Sequence, residues 1–331
     1  MLIKTPPVSI LGAGSFGTAL AIHLAMQQFP VKLWARDVKQ VEHMRVARRN
    51  ERYLPTFAFP ALLTPTNDLA DCLTPDAEII IAVPSHAFTA LLTQIKPPRA
   101  RIAWLTKGLD PNTHDLLSTW ITAHWGKQTA MAAISGPSFA AELAEGLPTA
   151  LVIAGNDPAH THTLQKLLHQ HHLRTYVSHD LIGVQLCGAI KNVLAIACGV
   201  SDGMCFGANA RAALITRGLA EMRRLGTAMG AQAETFTGLA GIGDLVLTCT
   251  DNQSRNRRFG LLIGKGHSQI DAETQIGQVV EGKTNAAQIT ALATRHHVDM
   301  PICQTVYDLL SKTLTPKEAL MRLMNRPPQL E

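Results

Sequence analysis

A lysine set in an apolar helix is the group in this 331-residue chain best suited to proton chemistry. In Gly188-Ala189-Ile190-Lys191-Asn192-Val193, the positions Leu186, Ile190, Val193, Leu194 and Ala197 leave little polar face for Lys191 at helical spacing. Lysine is rarely fully buried without a partner. A partly desolvated ammonium has its pKa pulled from ~10.4 toward a value useful for proton transfer. Lys191 therefore reads as an acid–base group, with a surface lysine on an amphipathic helix as the plainer alternative. Asp244, in Gly241-Ile242-Gly243-Asp244-Leu245, is flanked by glycines that let the backbone bend around a ligand; a helix N-cap accounts for it almost as well. Gln253-Ser254-Arg255-Asn256-Arg257-Arg258 reads as a helix start carrying hydroxyl, guanidinium and amide together, which suits a phosphate, against a solvated basic turn.

A second constellation lies near the start of the chain. Val8 to Leu11 is an apolar strand pattern that runs into Gly12-Ala13-Gly14-Ser15-Phe16-Gly17 and then into a helical pattern from Thr18 to Gln27. Gly12 permits the tight turn, Gly14 lets the backbone approach a pyrophosphate, and Gly17 lets helix and strand pack closely, so a dinucleotide is the expected ligand. The next strand, Val31 to Trp34, is followed by Arg36 and Asp37. An NAD site places a carboxylate about 20 residues beyond the glycines, on the ribose hydroxyls. Arg36 stands there instead and suits the 2′-phosphate of NADPH, whereas Asp37 on the ribose would favour NAD; use of both cofactors stays open.

The elements that must hold these residues follow from pattern. Apolar runs at Ala77 to Val83, Arg101 to Thr106, Thr129 to Ile134 and Ala150 to Ala154, with a short one at Tyr176-Val177, predict further strands of a mostly parallel sheet. Turns at Pro84-Ser85, Lys107-Gly108 and Ser135-Gly136-Pro137-Ser138 end three of them and should line one crevice with the glycine loop. From about residue 180 the pattern is helical: 181–199, 210–230, 255–264, 284–296, 301–311 and 316–324. The expected architecture is α/β, a Rossmann-type doubly wound sheet in a domain over 1–180, followed by an all-helical domain over 181–331 with the active site in the cleft between.

Composition narrows the function classes. The chain is 46% hydrophobic and 17% charged, ordinary for a globular protein, with a net charge of +5 and only 5% aromatic residues. That balance suits anionic small molecules better than nucleic acid. No signal peptide and no membrane span are expected, which points to the cytoplasm. Six cysteines without a C-x-x-C pair lead us to expect buried thiols, with neither metal nor disulfide.

Taken jointly, the motifs at 12–21, Thr106-Lys107-Gly108-Leu109, Ser135 to Ala140, Lys191-Asn192-Val193, Gly207-Ala208-Asn209-Ala210, Arg217-Gly218-Leu219, Gly241 to Asp244 and Ser254-Arg255-Asn256 resemble bacterial NAD(P)-dependent sn-glycerol-3-phosphate dehydrogenase in order and spacing. The resemblance spans essentially the whole chain. It implies reversible reduction of dihydroxyacetone phosphate to sn-glycerol 3-phosphate, for glycerophospholipid synthesis, with Lys191 exchanging the proton. It places Lys107, Gly136, Ser138, Lys191, Asn192, Asp244, Ser254, Arg255 and Asn256 around the substrate. It places Ser15, Phe16, Arg36, Lys107, Ala140, Arg255, Val279 and Glu281 on the cofactor, beside Gly12, Gly14 and Gly17, with Tyr53 a further contact. It also implies small-molecule partners and a homodimer. A related two-domain hydroxy-acid dehydrogenase or keto-acid reductase, and a non-catalytic dinucleotide sensor, are the alternatives; the phosphate cradle speaks against the first, and the two lysines and Asp244 against the second.

Overall fold

The computed structural model describes residues 6–95 and 101–325, and the chain divides into two compact units. Unit one comprises Met1–Thr106 and Leu117–Leu181. Its strands are β1 (Val8–Leu11), β2 (Val31–Trp34), β3 (Arg49–Asn50), β4 (Leu54–Ala58), β5 (Leu63–Thr66), β6 (Glu78–Ile81), β7 (Ile102–Trp104), β8 (Met131–Ser135), β9 (Thr149–Gly155) and β10 (Leu173–Ser178). Helices α1 (Ser15–Met26), α2 (Val38–Ala47), α3 (Leu69–Cys72), α4 (Ser85–Leu92), α5 (Leu117–Trp125), α6 (Ala140–Glu145) and α7 (Pro158–Leu168) connect them.

Among the described residues these strands form one sheet in the order β10-β9-β8-β7-β6-β1-β2-β5, with β3 and β4 as a separate antiparallel pair. Neighbours are parallel except β8 and β9. The chain winds outward from β1 through β2 to β5, then returns to β6 on the other side of β1. That reversal is the switch point at which doubly wound sheets bind ligands, and the glycine-rich turn leaves β1 there. Ile79, Ile80 and Ile81 are buried, as a central strand covered on both faces requires. Strand β5 and the β3–β4 pair are absent from the pattern-based reading. Leu63-Thr64-Pro65-Thr66 is short, polar and interrupted by proline, a combination tolerated on a sheet edge, where β5 sits.

Unit two comprises Lys107–Leu116 and Ile182–Glu331, so a ten-residue segment beginning shortly after β7 groups with the helical part, unlike the sequence division after residue 180. Its elements are α8 (Leu181–Gly203), α9 (Gly207–Ala228), α10 (Ala233–Thr237), a π-helical turn (Leu239–Gly243), α11 (Asp244–Thr250), α12 (Arg255–Gly264), α13 (Gln269–Ile276), α14 (Glu281–Arg295), α15 (Pro301–Leu310) and α16 (Pro316–Met324). Helix α8 is long and apolar enough to cross a membrane, but 89% of that stretch is buried inside the protein, where Leu186, Ile190, Val193 and Leu194 anchor the core of this unit. Helix α12 crosses it backbone to backbone. A Cβ on Gly199 would stand 2.1 Å from the Arg257 carbonyl oxygen, and one on Gly260 would stand 2.2 Å from that of Ile196.

This crossing leaves no room for a methyl group. Gly260→Ala should lower stability by about 1–3 kcal/mol through forced separation of α8 and α12, read as a lower melting temperature. A variant that melts with the parent protein would show that the two helices tolerate a wider spacing.

Candidate active site

Lys191 lies mid-way along α8 and is only 6% exposed. Its Nζ donates to Asp244 Oδ1 and, at 2.9 Å, to Thr248 Oγ1. Lys107 reaches the other carboxylate oxygen, Nζ to Oδ2 at 2.7 Å. Asp244 is 1% exposed and opens α11 directly after the π turn. It does not cap that helix: Gly243 holds the N-cap position, and the carboxylate is turned to the two ammonium groups. Thr248, one helical turn on, donates its hydroxyl to the Asp244 backbone carbonyl at 2.6 Å and so presents its oxygen to Lys191. Thr248 was missed in the sequence, although its spacing of four from Asp244 puts both on one helical face.

Burial is the main force on these groups. It pulls the Lys191 ammonium below the ordinary lysine value, to about 7; Asp244 opposes that shift and Lys107 reinforces it. Burial alone would raise the Asp244 carboxyl, but Lys107 and Lys191 together outweigh it and hold the group below its usual value. An ammonium has three protons to donate. Two of those on Lys191 are committed to Asp244 and Thr248, which leaves one for a ligand.

The start of α12 supplies a different chemistry. Ser254 caps the helix, its Oγ accepting from the Arg257 N–H at 3.2 Å. Arg255 is half-buried and donates to Gln278 Oε1 at 3.2 Å. The Asn256 carboxamide is held within the protein: Nδ2 donates one of its two protons to Asn192 Oδ1 at 2.9 Å, and its Oδ1 accepts from the Gly282 N–H at 2.9 Å. Arg257 turns inward to Asp202, Asn252 and the Cys249 carbonyl, so this part of the basic run is not a solvated turn. Arg255 is the partly exposed residue of a first turn otherwise buried, and a guanidinium beside a helix N-terminus is an arrangement suited to phosphate. Val279 is exposed and Glu281 begins α14 close to Gln278 in sequence. A cavity of about 420 Å³ opens elsewhere in this unit, lined by Val200, Leu214, Val306 and Leu320 among others; Lys107, Lys191, Asp244 and Arg255 are not on its walls.

In unit one the glycine loop has the shape a dinucleotide needs. Gly12 has φ +130°, and a Cβ there would stand 2.6 Å from the Ala82 backbone. A Cβ on Gly17 would overlap the Gly12 carbonyl oxygen at 2.0 Å, whereas one on Gly14 would meet nothing within 4 Å. The turn is thus closed where strand and helix touch and open where a pyrophosphate would lie. Ser15 and Phe16 begin α1. Asp37 uses its carboxylate to cap α2, accepting from the Lys39 and Gln40 N–H groups, while Arg36 is exposed. Tyr53, between β3 and β4, lies under the Arg52 guanidinium, 5.2 Å from its ring centroid. Gly136 has φ +142° beyond β8, Ser138 Oγ donates to the Gly136 carbonyl at 3.1 Å, and Ala140 is the first residue of α6.

Comparison with known proteins agrees with both halves of this description. The family model for the NAD-dependent glycerol-3-phosphate dehydrogenase N-terminus matches residues 7–161, and that for the C-terminus matches 180–321. The chain is similar to the glycerol-3-phosphate dehydrogenase (NAD(P)+) of Legionella pneumophila strain Lens, with 53% identity over 98% of either chain. Its counterpart in Idiomarina loihiensis is 49% identical over 99% of this chain and all of that one. Among solved structures, the Coxiella burnetii glycerol-3-phosphate dehydrogenase has 48% identity and a TM-score of 0.94, covering 97% of this chain and 99% of the other. The chain belongs to the NAD-dependent glycerol-3-phosphate dehydrogenase family.

Proposed function

We propose that the protein catalyses the reversible NAD(P)H-dependent reduction of dihydroxyacetone phosphate to sn-glycerol 3-phosphate, supplying glycerophospholipid synthesis. The observation that carries this reading is the Lys191–Asp244–Lys107 cluster, its lysine–aspartate centre buried and Lys107 partly exposed, in a chain of this family. The nicotinamide cofactor, held by the Gly12 to Gly17 turn, supplies the hydride when bound. As negative charge grows on the C2 oxygen, the uncommitted proton of Lys191 is the one to meet it. Asp244 and Thr248 fix the direction of that ammonium, and Lys107 adds a second positive charge to the same pocket. Arg255 and the first-turn N–H groups of α12 hold the phosphate, converting remote binding energy into placement of the carbonyl. Gly136, Ser138 and Asn192 are proposed as substrate contacts; Ser15, Phe16, Arg36, Tyr53, Lys107, Ala140, Arg255, Val279 and Glu281 as cofactor contacts. A cytoplasmic homodimer fits this reading.

The deciding experiment is NADPH oxidation by the purified protein with dihydroxyacetone phosphate, beside unphosphorylated dihydroxyacetone and a 2-keto acid. Turnover should be far faster on the phosphorylated ketone than on either of the other two. Arg255→Lys keeps the charge and loses the planar fork, so it should raise KM for dihydroxyacetone phosphate while leaving the residual rate on dihydroxyacetone unchanged. Equal damage to both substrates would remove Arg255 from the phosphate.

Lys191→Met should lower turnover at least about 100-fold with cofactor binding retained. Reduction needs Lys191 protonated, so its rate should fall as pH rises through about 7; oxidation needs the neutral amine, so its rate should rise over the same interval. In Asp244→Asn the carboxylate no longer offsets burial, the lysine pKa drops further, and both limbs should move to lower pH. Limbs that stay put in Asp244→Asn would assign them to another group.

Arg36→Ala should weaken NADPH binding by about ten-fold or more and leave NADH nearly untouched, because only NADPH carries the 2′-phosphate. An unchanged ratio of the two affinities would overturn the assignment.

A further inference from the structure

The glycine-rich turn is gripped from behind by two carboxamides that share one target. Gln40, on α2, donates from Nε2 to the Ala13 carbonyl oxygen at 3.0 Å. Asn50, on β3, donates from Nδ2 to the same oxygen at 3.0 Å and to Thr18 Oγ1 at 2.8 Å. Asn50 is 1% exposed, and both protons of its amide are used. Neither side chain belongs to the G-x-G-x-x-G pattern, and both come from the segment that follows β2.

The Ala13 carbonyl shares its peptide unit with the Gly14 N–H. That unit is planar and trans, so its N–H points opposite to its C=O. With the oxygen held by Gln40 and Asn50, the Gly14 N–H is turned away from them. Among the described residues nothing accepts from it, and the space at Gly14 is open. Gly14, with no Cβ and open space around it, offers little resistance to rotation of this peptide plane. A rotated plane would present an oxygen, rather than a proton, to an incoming phosphate.

We propose that Gln40 and Asn50 are positioning residues for the cofactor pyrophosphate: by fixing the Ala13 carbonyl they hold the Gly14 N–H ready as a phosphate donor before the cofactor arrives. They touch no ligand themselves. The inference rests on the turn being the NAD(P) site and deepens that reading, because it names what keeps the turn preorganised. Between them the two donors occupy both lone pairs of the Ala13 oxygen.

The test measures binding by calorimetry, without catalysis. Gln40→Met keeps the length of a half-buried side chain and removes the donor; Asn50→Ser removes the buried one. Two probes are titrated: 2′-phospho-ADP-ribose, which contains the pyrophosphate, and adenosine 2′-monophosphate, which does not. In Gln40→Met the affinity for the first should fall about five-fold, the worth of a hydrogen bond of ordinary strength, with the second unchanged and the melting temperature of the free protein preserved. Asn50→Ser should show the same selectivity with a larger loss. If Asn50→Ser does not fold, Gln40→Met alone decides. Equal loss for both probes, or an unchanged affinity for 2′-phospho-ADP-ribose in Gln40→Met, overturns the proposal. Failure of the parent protein to bind 2′-phospho-ADP-ribose would instead overturn the assignment of the turn to NADPH.

Discussion

Asp244 is a carboxylate with almost no access to water, and it is charged because two ammonium groups reach it from different parts of the chain. Removing the Asp244 charge would leave the buried Lys191 desolvated without its counterpart, which is far costlier than losing a surface pair. The arrangement has two positive charges against one negative, so it favours an anion beside it. Passing one proton to a developing oxyanion relieves the excess instead of creating a new separation of charge. Electrostatics that would be a burden for stability thus suit the proposed proton transfer, and the helical unit holds the three groups in place.

That building is mostly backbone geometry. Helix α8 carries Lys191 and Asn192, α12 carries Arg255 and Asn256, and the glycines at their crossing let the axes approach until Asn192 and Asn256 meet at 2.9 Å. Lys191 and the N-terminus of α12, the proposed acid–base and phosphate sites, are therefore referenced to one another through main chain. A ketone with its phosphate at one end needs such a fixed span between the two chemistries.

How much of this was legible depended on range. The Gly12, Gly14 and Gly17 roles are local requirements of backbone, so the order of residues displays them. Lys191 was visible as a cation in an apolar stripe. Its partners were not: Asp244 lies 53 positions away and Lys107 is a further 84 from Lys191, separations at which pattern says nothing about contact. Asp244 read as a possible cap because a glycine-flanked aspartate before a helix usually is one; here the π turn carries it one step into the helix and frees its carboxylate. The grouping of Lys107–Leu116 with the helices was hidden for the same reason. Buried Gln288 donates to the Leu109 and Asp110 carbonyls, and Arg295 pairs with Asp115, ties set by residues nearly two hundred positions on. Strand β5 escaped notice because a proline-bearing polar tetrapeptide looks like a loop until a neighbouring strand pairs with it.

Helix α8 has one more consequence. Its amides lie in the middle of the unit's core, with main-chain hydrogen bonds shielded on nearly every side. Amides so placed exchange with solvent deuterium only when a whole cooperative unit opens, whereas residues at loops and frayed ends exchange through small local fluctuations. Lys191 inherits that rigidity from its position. Its place on the helix is lost when the helical unit as a whole comes apart, so heating should release the lysine in the same cooperative step as the fold, with no earlier stage of local loosening around it.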